Sequence, residues 1–102
     1  MNKRAKKKAE KNKRRKFVEL FDLALQANGL ECRSRRESGN LPTVFFDFSG
    51  HVSLFSIRIF ENGWVPNGYY EEADLNLDYR YSEADYQKAK TLLLQAIEKA
   101  GK

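Results

Sequence analysis

Apolar positions fall at helical spacing near both ends of the chain and alternate in between. Phe17, Leu20, Phe21, Ala24 and Leu25 stand at i, i+3, i+4, i+7 and i+8, one face of an α-helix. Asn28-Gly29 supplies its stop, because both residues tolerate the left-handed conformation that closes helices. The pattern predicts a first helix over about residues 14–28, open to continuation upstream. Near the other end, Tyr86, Ala89, Leu92, Leu93, Ala96, Ile97 and Ala100 make one continuous apolar stripe. Ser82 is its expected N-cap. Glu83 and Asp85 in the first turn favour the positive end of the helix dipole, and Gly101 ends the helix.

Between the helices the period falls to two. In residues 43–49 Val44, Phe46 and Phe48 share a face, with Thr43, Phe45 and Asp47 opposite. After Ser49-Gly50, Phe55, Ile57 and Ile59 alternate with Leu54, Ser56, Arg58 and Phe60. The short turn implies an antiparallel hairpin. Asn62-Gly63 and Pro66-Asn67-Gly68 mark further turns. Over 74–81, Leu75, Leu77, Tyr79 and Tyr81 face one way and Asp74, Asn76, Asp78 and Arg80 the other, which predicts a half-buried strand. Residues 30–37 read as a charged edge strand, with polar residues on both faces. The expected fold is α+β. An antiparallel sheet of three to four strands carries an N-terminal and a C-terminal helix on one face, in the order α-β-β-β-(β)-α.

Charge divides the chain differently. Residues 1–16 hold ten basic residues (Lys3, Arg4, Lys6, Lys7, Lys8, Lys11, Lys13, Arg14, Arg15 and Lys16) against one acid, Glu10. Residues 17–102 carry nine bases and thirteen acids. Within 61–85 there are seven acids and one base, Arg80. This gives a polybasic arm, 1–16, disordered or a helical extension, on a single α+β domain, 17–102. The arm has no Pro or Gly and good helix formers, but its like charges oppose a helix standing alone in water.

At 102 residues the chain has room for one domain and one modest core. A single Cys, Cys32, excludes an intramolecular disulfide framework and a Cys-rich zinc module, which suits a reducing compartment. No apolar run approaches a membrane span, and no apolar segment follows the basic N-terminus as a secretory signal requires. His51 is the sole imidazole, at the Ser-Gly-His turn. There is no GxSxG, CxxC, HExxH, Walker or GxGxxG pattern. Glu71, Glu72, Asp74 and Asp78 lack the full calcium-loop arrangement. The chain is therefore expected to be no enzyme, with no cofactor and no metal, and to reside in the cytoplasm, or in the nucleus of a eukaryotic cell.

Binding features remain. Lys6, Lys7, Lys8, Lys11, Lys13, Arg14, Arg15 and Lys16 are candidates to grip nucleic-acid phosphate, DNA or RNA, by replacing condensed counterions. Arg33 and Arg35, with Arg36 beside them, continue that footprint or pair with nearby acids. A solubilising tail, a nuclear-import signal and a polybasic membrane-surface segment are the bland readings of the arm, and no membrane is expected, because no lipidation motif follows Met1 and no apolar face accompanies the charges. A second set, Trp64, Tyr69, Tyr70, Glu71, Glu72, Asp74 and Asp78, combines aromatics with acids and suits a basic protein surface. Two functions follow. One is a small binding protein associated with nucleic acid or a nucleoprotein complex. The other is an inhibitor or adaptor of the kind phages encode, an anti-CRISPR being one example, which docks segment 61–85 on a basic cleft of a nucleic-acid enzyme. The sheet face bearing Phe45, Leu54 and Phe60 is either open or covered by the 61–73 loop.

The helix–strands–helix order, with Lys88-Ala89-Lys90 in the second helix, resembles the double-stranded-RNA-binding domain, a family of α-β-β-β-α order with a Lys-Lys-x-Ala-Lys signature. The chain departs from it in the acidic segment 61–81 and in Ser82-Glu83-Ala84-Asp85, which opens the helix with acids that repel phosphate. On those departures it is not assigned to that family.

Overall fold

The computed structural model describes residues 3–31 and 41–101. Helix α1 spans Lys3–Asn28. Strands β1, Thr43–Ser49, and β2, Leu54–Phe60, are followed by β3, Glu71–Asn76, and by helix α2, Glu83–Lys99. The sheet has the order β1-β2-β3 with both pairings antiparallel. The fold is α+β, ordered α-β-β-β-α. From Cys32 onward the edge strand read over 30–37, with Arg33, Arg35 and Arg36, lies outside the described residues.

Both helices cover one face of the sheet. Leu20, Ala24 and Ala27 of α1 and Tyr86, Ala89, Leu93 and Ala96 of α2 close over Val44, Phe55, Ile57, Ile59, Ala73 and Leu75. Small residues at the helix positions let the helices sit close to the sheet, and the bulk of the core comes from β2. Phe17 sets its ring edge-on to Phe46, Phe48 and Phe55, with centroids 5.4, 5.4 and 5.6 Å away. Such edge-to-face contacts set the electropositive rim of one ring against the π face of the next.

The caps follow the sequence. The Ser82 hydroxyl accepts a hydrogen bond from the Asp85 amide at 3.4 Å. Gly101 and Gly29 take φ of +79° and +76°, and the Gly29 amide closes on the Leu25 carbonyl at 2.7 Å. Of the two alternatives left open for residues 1–16, the described part takes the helical extension: helix α1 starts at Lys3 and runs through residue 16 without a break. Docking of its C-terminal half supplies the costly helical nucleus, and good helix formers propagate it upstream. Like-charge pairs three or four apart cost only a few tenths of a kcal/mol each.

The last strand lies three residues earlier than its expected start and ends at Asn76. Leu75 is buried as expected, but Tyr79 is 91% exposed. The Asp78 carboxylate accepts from the Arg80 amide at 2.9 Å, and its carbonyl accepts from the Tyr81 amide at 3.0 Å. An Asp that satisfies the backbone two residues on makes a turn compete with the strand. The alternation of residues 78–81 therefore belongs to that turn.

Candidate nucleic-acid interface

A helix advances about 1.5 Å and 100° per residue. On α1 that geometry sends Leu20, Ala24 and Ala27 to the core and sends Arg4, Lys7, Lys8, Lys11, Arg14 and Arg15 to the opposite side. Their spacing, i, i+3, i+4, i+7, i+10 and i+11, makes a single stripe about 16 Å long. All six are exposed. None makes an ion pair among the described residues. The stripe turns away from the sheet, on the helical side of a molecule measuring 53 × 26 × 22 Å. Lys6 is exposed on the flank toward the core direction.

Lys13 and Lys16 point the other way, along the continuation of the core stripe, and the body holds both. Lys13 Nζ donates to the Asp78 carbonyl at 3.2 Å. Lys16 Nζ donates to Glu83 Oε2 at 2.7 Å and to the Tyr81 hydroxyl at 3.1 Å. It also lies 5.5 and 5.1 Å from the Tyr81 and Tyr86 ring centres. The Tyr81 hydroxyl donates to the same Glu83 oxygen at 2.7 Å. Lys16 and Tyr81 hold the Glu83 carboxyl down at about 2, and Glu83 in turn raises Lys16. One turn further on, Glu19 accepts from Lys90 at 2.8 Å and from the Tyr86 hydroxyl at 2.6 Å. Those two donors lower the Glu19 pKa. Together these contacts fix the angle at which the basic half of α1 leaves the body. Sequence alone missed them, because Lys13 and Lys16 read as two more arm cations. The signal was their place on the core stripe, Lys13 seven and Lys16 four positions ahead of Leu20.

Where α1 leaves the sheet, Glu10, Lys13, Arg14, Phe17, Phe48 and Leu77 line an open notch of about 210 Å³. Its floor is apolar and its rim is charged. Arg14 borders both the notch and the basic stripe.

The acidic and aromatic set divides. Register places Glu72 and Asp74 opposite Arg58 and Ser56 on the sheet face away from the helices. Phe45, Leu54 and Phe60 share that face. Glu71 pairs with Ile59 on the helix-facing side. Asp78 forms an ion pair with Arg80 at 2.9 Å, which lowers its pKa. The 61–70 loop covers part of the outer face. Phe60 is 4% exposed, with Tyr70 at 5.2 Å and Phe45 at 5.5 Å between ring centres. Phe45 and Tyr70 stay exposed at their rims, and the Arg58 guanidinium stacks 5.2 and 5.7 Å from their centres. Trp64 and Tyr69 are exposed in the loop. Both readings of this face thus hold in part, with one end covered and the other open.

His51 is exposed in the turn between β1 and β2. Among the described residues no group of His, Cys, Asp and Glu is placed to hold a metal ion, and no helix is long and apolar enough to cross a membrane. Of Lys88-Ala89-Lys90, Ala89 is core and Lys90 is paired to Glu19. No protein-family model, curated protein or solved structure matches the chain.

Proposed function

We propose that this chain is a small non-enzymatic binding protein that grips the phosphates of nucleic acid with the outer face of α1, in the cytoplasm or, in a eukaryote, the nucleus. The observation that carries this reading is the stripe Arg4, Lys7, Lys8, Lys11, Arg14 and Arg15, exposed, unpaired and held at a fixed angle to the body. A solubilising tail has no need of that geometry. The phosphate-contacting set is then these six, while Lys13 and Lys16 act as the tether. Contacts of this kind position a protein on the polymer and carry little sequence information.

The test is binding to labelled DNA and RNA across a salt series. Six neutralised phosphates give a slope of log K against log salt of about −5 on a duplex and about −4 on a single strand. A flat salt dependence overturns the reading.

The placement of Glu72 and Asp74 beside Phe45 and Tyr70 favours a second, compatible role. The outer sheet face lies on the far side of the molecule from the stripe, so a basic protein surface can dock there while nucleic acid occupies α1. A phage-type inhibitor of a nucleic-acid enzyme fits that arrangement. Glu72→Lys with Asp74→Lys abolishes such docking, and unchanged docking removes the role.

A further inference from the structure

The notch beside Arg14 has features that phosphate binding alone does not use. Phe17, Phe48 and Leu77 give it an apolar floor. Phe48 is 44% exposed although it lies on the helix-facing side of the sheet. Its ring is braced edge-on by Phe17 at 5.4 Å, which leaves part of its surface toward the notch. The rim has two cations and one carboxylate, Lys13, Arg14 and Glu10. Lys13 is drawn to the Asp78 carbonyl, so Arg14 is the rim cation that faces outward, and it is also the flank of the basic stripe.

We propose that this notch takes one unstacked nucleobase of a single-stranded polynucleotide, whose backbone runs along the stripe and whose adjoining phosphate meets Arg14. The proposal rests on the nucleic-acid reading above and adds the strand type. Aromatic side chains next to a cationic track are how proteins hold single strands, because every base has a π face. In a duplex the bases are stacked and paired, and none can reach Phe48 without being extruded at a cost of a few kcal/mol. Glu10 sorts the two ends of the nucleotide. Its carboxylate repels phosphate, which leaves Arg14 to take it, and accepts hydrogen bonds from an exocyclic amine such as that of cytosine. An apolar side chain of a protein partner fits the floor but makes no use of the Arg14 flank.

The experiment measures the affinity of the full chain for one fluorescently labelled oligonucleotide, single-stranded and as its duplex, in low salt. The variants are Phe48→Ala and Phe48→Leu, the second keeping an apolar filling without a ring, with folding followed by circular dichroism. Loss of one base stack costs about 5- to 150-fold. The wild-type chain is expected to prefer the single strand, and each variant to lose at least about fivefold on the single strand with duplex affinity held. Single-strand affinity unchanged in Phe48→Leu, or equal loss on both strand types, overturns the notch as a base site while leaving the stripe in place. Binding to neither form by the wild-type chain overturns the nucleic-acid reading itself.

Discussion

The Asn28 carboxamide meets the backbone of Val44 in both directions. Its Nδ2 donates to the Val44 carbonyl at 2.8 Å, and its Oδ1 accepts from the Val44 amide at 2.8 Å. A side chain at the end of α1 thereby takes the place of a neighbouring strand at one residue of β1. Val44 is itself buried. Buried backbone donors and acceptors must be paired, and at this residue the side chain does the pairing. Asn28→Ala leaves both groups short of a partner and is expected to cost about 1–3 kcal/mol. Asn28→Asp keeps the acceptor but sets a carboxylate against the carbonyl, so it is expected to destabilise as well. Urea unfolding of the three proteins checks both expectations.

The tether has a pH signature. Glu83 and Glu19 both have carboxyl pKa values lowered in the folded chain, chiefly by Lys16 and by Lys90. A group whose folded pKa is depressed contributes stability that is full above its unfolded pKa and is lost as pH falls through the folded one. For Glu83 that window runs from about 4.3 in the unfolded chain down to about 2. Tm is expected to hold from neutral pH to about 5 and to fall between there and 2. Glu83→Gln shortens that fall, because the variant has no charge to lose there. Thermal melts at stepped pH, read by circular dichroism, decide it.

Most of the architecture was legible because each element carries its own periodicity. Phe17 to Leu25 and Tyr86 to Ala100 repeat at helical spacing, residues 43–60 alternate, and Ser82, Gly29 and Gly101 mark ends. Two features were less legible for one physical reason, which is that local pattern does not record what the backbone is bonded to. Residues 74–81 alternate, yet Asp78 diverts the chain into a turn. Lys3–Arg15 look like a charged tail, yet they continue a helix nucleated by the docking of Leu20 and Ala24. The candidate site was half visible. The charges of the arm could be counted, but their division into an outward stripe and the inward Lys13 and Lys16 depends on where the body ends.

That division has a direct consequence. Lys7→Gln, Lys8→Gln and Lys11→Gln together remove three stripe cations and no internal contact among the described residues. The salt slope on duplex DNA is expected to fall by about 2.7, with Tm unchanged. Lys13→Gln with Lys16→Gln removes two charges of the same sign but breaks the contacts to Asp78, Tyr81 and Glu83. Tm is expected to drop and the slope to change little. If the two sets prove equivalent in slope per charge, the division fails.

Whether the helix matters, or only its charge, is answered at Ala9. The residue is half-buried and lies one turn above Lys13. Within an α-helix a proline loses the bond to the carbonyl four residues back and clashes with it, a cost of about 3 kcal/mol or more. In Ala9→Pro that cost falls on residues 3–8, because proline is tolerated in the first turn of a helix that restarts at residue 9, with Lys13 and Lys16 still docked on the body. The variant therefore keeps all ten basic residues of the arm, and its body is expected to melt at the wild-type Tm with less helical signal at 222 nm. If the stripe acts as a preorganised face, affinity for nucleic acid falls, because ordering the arm must then be repeated at each binding event. If affinity is unchanged, charge density alone suffices upstream of Ala9, and the helical geometry of residues 3–8 has no part in recognition.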